Sequence, residues 1–160
     1  MKTAVVFYSL DGNCALIAEA VKTQLNAELI RLQIMGDKKR RSFFKMLWGI
    51  GMMLSRKKPP LKPYTFDPAV WDLIIIGTPV WAGSPAPPLQ TFLSQTSITG
   101  KKIALFVCHA GGKGDALEKL KALLPGNEIA AETDFTNPVK SNSEEVNRQV
   151  AEWVKSFGDL

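Results

Sequence analysis

Apolar residues in this chain come in two kinds of run. Ala4-Val5-Val6-Phe7-Tyr8, Trp71-Asp72-Leu73-Ile74-Ile75-Ile76-Gly77 and Lys102-Ile103-Ala104-Leu105-Phe106-Val107-Cys108 are nearly continuous, the pattern of strands buried on both faces at the centre of a parallel sheet. Glu28 to Ile34 alternates instead, apolar at Ile30, Leu32 and Ile34, which predicts a strand less buried on one face or at a sheet edge. Glu128 to Phe135 reads as a shorter fifth strand. Between the strands the spacing turns helical. Cys14, Ala18, Val21 and Leu25 share a face opposite Glu19 and Lys22, Asp115 to Leu124 forms another helix, and Ser143 to Phe157 carries an inner stripe of Val146, Val150, Trp153, Val154 and Phe157. Ser143, Glu144 and Glu145 mark the start of that last helix. Thr78 to Pro88 is too rich in proline to turn helical before Leu89-Gln90-Thr91-Phe92-Leu93.

Strands alternate with helices throughout, which calls for an α/β fold: a doubly wound, five-stranded parallel sheet inside a three-layer αβα sandwich, with right-handed crossovers. The first, third and fourth strands are the most apolar and therefore central, giving sheet order 2-1-3-4-5. In such a sheet ligands bind outside the carboxyl ends of the strands, where the strand order reverses between the first and third. Three loops end there: Ser9 to Asn13, Thr78 to Gly83, and His109 to Gly114.

Length and composition narrow the function classes. The 160 residues suit one domain, residues 1–160, with a single core. No apolar run reaches the roughly 18 residues of a membrane span, and the first strand begins without a basic and apolar leader, so a cytoplasmic location is expected. Cys14 and Cys108 are far apart in sequence and have neither metal-ligand nor redox-motif spacing, and His109 stands alone, so neither a disulfide framework nor a metal site is expected. The net charge of +5 is unevenly placed. Residues 36–63 hold nine Lys/Arg against Asp37, leaving 11 basic and 14 acidic residues elsewhere, a body of net charge −3. That location, more than the total, speaks against a nucleic-acid partner. Within this crossover segment, Phe43-Phe44-Lys45-Met46-Leu47-Trp48-Gly49-Ile50-Gly51-Met52-Met53-Leu54 is apolar nearly all round, with Ser42 placed to cap it. It reads either as a crossover helix packed on the sheet or as a basic, apolar docking surface, spanning 38–58, for a partner protein or an anionic membrane surface.

The three loops carry the candidate chemistry. Ser9-Leu10-Asp11-Gly12-Asn13-Cys14 leads from a strand into a helix, so unpaired N–H groups and the helix dipole converge on one point. It reads either as a phosphate cradle without the lysine of a P-loop or as a plain capped turn. The second loop offers the Trp81 indole, and the third a glycine-rich backbone able to approach a flat ring edge.

On the residues Ser9-Leu10-Asp11-Gly12-Asn13-Cys14 and Gly77-Thr78-Pro79-Val80-Trp81, and on element order over nearly the whole chain, the sequence resembles the flavodoxin family in its short-chain form. The resemblance implies an FMN cofactor. It implies that Ser9, Leu10, Asp11, Gly12, Asn13 and Cys14 hold the phosphate, Cys14 through its backbone N–H. Thr78, Pro79, Val80, Trp81, Ala82 and Gly83 would line one side of the isoalloxazine, and His109, Ala110, Gly111 and Gly112 its other edge. Asp11 and Cys14 stand where the family usually has hydroxyl residues, and the third loop lacks the Tyr that often covers the ring, leaving His109. The implied activity is that of a low-potential electron carrier between redox partner proteins, a reductase and an acceptor, with no catalytic side chain. Two other readings stand beside it: a flavin-dependent NAD(P)H:quinone reductase, and a cofactor-free docking module on the same topology.

Overall fold

The computed structural model describes residues 1–36, Gly49, Gly51, Met52 and 58–157. Strand β1 (Thr3–Tyr8), helix α1 (Asn13–Leu25), β2 (Glu28–Leu32), β3 (Leu73–Trp81), β4 (Ser84–Pro85), α2 (Pro87–Gln95), β5 (Lys102–His109), α3 (Ala116–Ala122), β6 (Glu128–Thr136) and α4 (Ser143–Lys155) follow in order. Five strands run parallel in the order β2-β1-β3-β5-β6, with the two-residue β4 antiparallel to β3. The expected order is present, with β5 and β6 as its fourth and fifth strands. The alternating strand, β2, lies at an edge.

The period of two along β1 divides its side chains between two cores. Ala4, Val6 and Tyr8 join Ile74, Ile76, Leu89, Phe92, Leu105 and Leu120 on the face covered by α2 and α3. Val5 and Phe7 join Ile17, Val21, Ile75, Phe106, Val150 and Trp153 on the face covered by α1 and α4. The inner stripe of α4 is as expected: Val146, Val150, Trp153 and Phe157 are buried and Val154 packs at the margin. Its cap is Asn142, one residue before Ser143; the Asn142 carboxamide oxygen accepts the Glu144 N–H at 2.8 Å.

Two boundaries depart from the sequence reading, and both involve proline. β3 runs on through Thr78, Pro79 and Val80 to Trp81, where a loop was expected. Pairing of β1 with β3 ends at Phe7–Gly77, so from Thr78 onward β3 keeps β5 as its one parallel neighbour, and Pro79 lies past the β1 ladder, where a strand tolerates a missing N–H. The chain then reverses through Ala82 (φ 47°) and Gly83 (φ 66°), both left-handed, into β4. This is the two-residue hairpin geometry that matches strand twist. Helix α2 starts at Pro87 rather than Leu89, because prolines in a first turn give up only N–H groups that lack helical partners anyway.

The expected crossover helix from Ser42 to Leu54 lies outside the described residues, apart from Gly49, Gly51 and Met52, which are helical. Among the described residues, no helix is long and apolar enough to cross a membrane.

Candidate functional site

A cavity of about 200 Å³ opens at the carboxyl ends of β1, β3 and β5, lined by Ser9, Leu10, Asp11, Asn13, Cys14, Pro79, Val80, Trp81, Cys108, His109, Ala110 and Asn137. All three expected loops reach it, at the strand-order reversal between β1 and β3.

The first wall is the turn from β1 into α1. Gly12 caps the helix with φ 90°, a conformation that a side chain would strain. Ser9 is buried, and its Oγ accepts the Ala15 N–H at 3.2 Å, which leaves its hydroxyl proton free to donate. Asn13 points its Oδ1 outward to the Val139 N–H at 3.1 Å, tying this loop to the connector after β6, and keeps its Nδ2 as donor. Among the described residues, the N–H groups from Leu10 to Cys14 meet no protein acceptor. The result is a nest of donors at the positive end of a 13-residue helix, the arrangement that binds a phosphate. Asp11 is exposed at the cavity rim. Arg31, on the edge strand β2, donates Nη2 to the Ser9 carbonyl at 3.3 Å and sets a guanidinium behind the loop.

The second wall is the β3–β4 hairpin. Trp81 is half-buried and meets Tyr8 edge to face, with ring centroids 6.0 Å apart. Gly49 lies against the indole's six-membered ring; a Cβ there would be 3.7 Å from Trp81 Cη2. The hairpin is braced from behind, where Lys119 Nζ donates to the Gly83 carbonyl at 3.0 Å and to Ser84 Oγ at 2.9 Å. Gly114 approaches so closely that a Cβ on it would lie 2.9 Å from Gly83 Cα.

The third wall is organised by His109. The Gly112 N–H donates to Nδ1 at 3.1 Å, so Nδ1 is unprotonated and Nε2 carries the proton that meets Asp134 Oδ2 at 2.9 Å. Lys113 Nζ donates to the other carboxylate oxygen at 2.7 Å. The Lys113 and His109 donors hold the Asp134 carboxyl below the usual carboxylate range, and Asp134 raises the Lys113 ammonium in return. The imidazole therefore faces β6 and folds the loop back on itself.

Of the expected site residues, Gly12, Thr78, Ala82, Gly83, Gly111 and Gly112 do not line the cavity. Thr78 is fully buried, its Oγ1 accepting the Ala86 N–H at 3.0 Å, so it anchors the hairpin from the far side. Gly12 and Gly83 supply backbone geometry, and Gly111 and Gly112 are exposed beyond the rim. Cys108 and Asn137 line the cavity without having been expected. Asn137 has a left-handed φ of 44° and donates its N–H to the His109 carbonyl at 2.9 Å, so a fourth connector closes the site. Its signal in the sequence was Asn137-Pro138 directly after the fifth strand.

No protein-family model and no curated protein matches the chain. Solved structures do match. A flavoprotein from Lactobacillus acidophilus NCFM, in complex with FMN, superposes with a TM-score of 0.73 at 23% identity, covering 96% of this chain and 99% of that one. Oxidised flavodoxin 2 from Bacillus cereus superposes with a TM-score of 0.61 at 17% identity, over 98% and 97% of the two chains. The chain has the flavodoxin fold. A second flavodoxin, two-electron reduced, from Megasphaera elsdenii, matches with a TM-score of 0.54 at 16% identity, over 94% and 98%. In all three the match runs nearly end to end, so this chain carries the flavodoxin fold without a large addition.

Proposed function

We propose that this chain binds FMN and acts as a redox protein, passing electrons between a reductase and an acceptor protein. One observation carries the reading: the donor nest at the start of α1 opens into the same cavity as the Trp81 hairpin and the His109 loop. A phosphate cradle joined to walls suited to a flat ring is the shape of a flavin mononucleotide. The Lactobacillus flavoprotein in complex with FMN supports it by likeness of fold. The residues fit the group. Ser9 Oγ–H, Asn13 Nδ2 and the N–H groups of Leu10 to Cys14 would hold the phosphate, Pro79, Val80 and Trp81 one side of the ring, and His109 and Ala110 its edge. Bound there, FMN would supply the one- and two-electron chemistry; the chain supplies binding, orientation and electrostatics. At about 200 Å³ the cavity is smaller than the roughly 300–1,000 Å³ of pockets that enclose their ligands. Part of the ring would therefore stay open to a partner.

A second reading, a flavin-dependent NAD(P)H:quinone reductase, is favoured by the exposure of Ala110, Gly111 and Gly112, which leaves the ring edge without an aromatic cover. Turnover of a quinone with NAD(P)H alone distinguishes the two, since a carrier needs a separate reductase. The FMN assignment is tested by titrating the flavin-free chain with FMN and with riboflavin. Charge-assisted hydrogen bonds contribute about 1.5–3 kcal/mol each, so FMN is expected to bind at least tenfold tighter, and equal affinities overturn the cradle.

A further inference from the structure

The chain has two cysteines, and the fold brings them together. Cys14, in the first turn of α1, and Cys108, next to last in β5, belong to the same core cluster on one face of the sheet. Both line the cavity, both are free thiols, and both are almost fully buried, 1% and 3% exposed. Burial pushes the Cys14 thiol well above its ordinary range, and the neighbouring Cys108 adds to the rise. The phosphate reading uses the backbone N–H of Cys14 and nothing of Cys108, so it does not account for a sulfur on each side of this wall.

We propose that Cys14 and Cys108 form a reversible disulfide that ties the first turn of α1 to the end of β5 and thereby weakens the cradle's hold on a phosphate monoester. The oxidant is a hydroperoxide. One thiolate attacks the distal peroxide oxygen, the O–O bond breaks, and a sulfenic acid forms with release of water or an alcohol; the second thiol then displaces the sulfenic oxygen as water as the S–S bond closes. With hydrogen peroxide, two thiols yield one disulfide and two waters, the sulfurs losing the two electrons that the peroxide gains.

Both thiols are free in this structure, so closing an S–S bond of ~2.05 Å requires movement. β5 is the less able to yield, because Cys108 is paired with Pro79 on one side and Phe135 on the other. The start of α1 moves instead, and the N–H groups of Asn13 and Cys14 move with it. Coupling of this kind is reciprocal: a ligand that holds the cradle in place must also oppose the disulfide. Because the Cys14 thiol holds its proton at neutral pH, oxidation should accelerate with rising pH.

The coupling rests on the FMN reading; the disulfide does not. The test exposes the full chain, with and without saturating FMN, to hydrogen peroxide, then unfolds it, alkylates free thiols with iodoacetamide and weighs it. Without FMN, both thiols should be lost and restored by dithiothreitol, and FMN should slow the loss severalfold. FMN should bind the oxidised chain about tenfold more weakly than the reduced chain, and in Cys108→Ser this ratio should fall to one. Two alkylatable thiols remaining after peroxide, or a disulfide that leaves FMN affinity unchanged, overturns the proposal. If FMN binds no tighter than riboflavin in either state, the phosphate reading fails, and the thiol count still decides the disulfide.

Discussion

At Gly77 a missing methyl group decides whether β3 and β5 can pair: a Cβ there would lie 2.0 Å from Phe106 Cζ, inside a fully buried ring. The clash cannot be relieved by rotating an exposed side chain, because Phe106 is wedged edge to face between Phe135 and Trp153. Gly77→Ala is expected to cost about 1–3 kcal/mol in denaturant unfolding. Adding Phe106→Leu should recover part of that, a non-additivity that a contact elsewhere would not produce. Asp134 offers a second test, in pH. Its carboxyl is held below the usual range, first by Lys113 and then by His109, so the native state favours its ionised form. Its contribution is complete above the unfolded value of about 3.9 and is lost as pH falls through the lower folded value. The side chain is 30% exposed, so solvent screening keeps the effect under about 1 kcal/mol. Asp134→Asn should be less stable than the parent near pH 6, and the gap should close below about pH 4. Urea midpoints from pH 6 to pH 3 check this, and parallel curves would mean that the Asp134 pairs contribute nothing measurable.

The elements show where reading a sequence works and where it stops. Continuous apolar runs placed β1, β3 and β5 at the centre, and alternation placed β2 at the edge, because burial on two faces or one leaves that mark locally. The end of β3 was not legible that way. Pro79 reads as a strand breaker until the end of β1 beside it is known, and that is a fact about a neighbour. The same limit applies to the site. Ser9 to Cys14 announces itself as a strand-to-helix turn and Asn137-Pro138 as a turn after the last strand, whereas Cys108 and Arg31 enter only through contacts distant in sequence. It also separates Thr78, whose hydroxyl turned out to serve Ala86 N–H, from Pro79, Val80 and Trp81 beside it. For the cradle itself, the informative residue is Asp11. A carboxylate at the rim, next to the positive end of α1, competes electrostatically with a bound phosphate. Asp11→Thr removes that charge and offers a hydroxyl donor. With helix-terminus charges contributing about 0.3–1 kcal/mol, the variant should bind FMN about two- to fivefold tighter with riboflavin affinity unchanged. An equal gain for both ligands would mean that Asp11 acts on the ring or on loop shape instead.

For the whole molecule, charge is segregated: nine cations fall within residues 36–63, and the remainder is net −3. Gly49 belongs to that segment and rests against Trp81, the indole proposed to flank the flavin. Gly49 thus meets the ligand-facing end of the sheet, where on the proposed function a redox partner would approach for electrons to pass. We propose on this basis that an acidic, partly apolar partner docks there, guided by charge; an anionic membrane surface is the competing occupant. Steering of this kind acts through the screening length, which shrinks from about 30 Å at 0.01 M to about 8 Å at 0.15 M ionic strength. The rate of reduction by an acidic reductase should therefore drop steeply over that range. Replacing Lys38, Lys39, Arg40 and Arg41 with Gln should flatten the drop while leaving FMN affinity as it was. Co-sedimentation with phosphatidylserine vesicles decides the occupant, since each basic residue near such a surface contributes roughly 1 kcal/mol. Strong, salt-sensitive pelleting would assign the segment to the membrane. Reduction rates indifferent to salt, with no pelleting, would reduce it to a crossover whose cations only keep the chain in water.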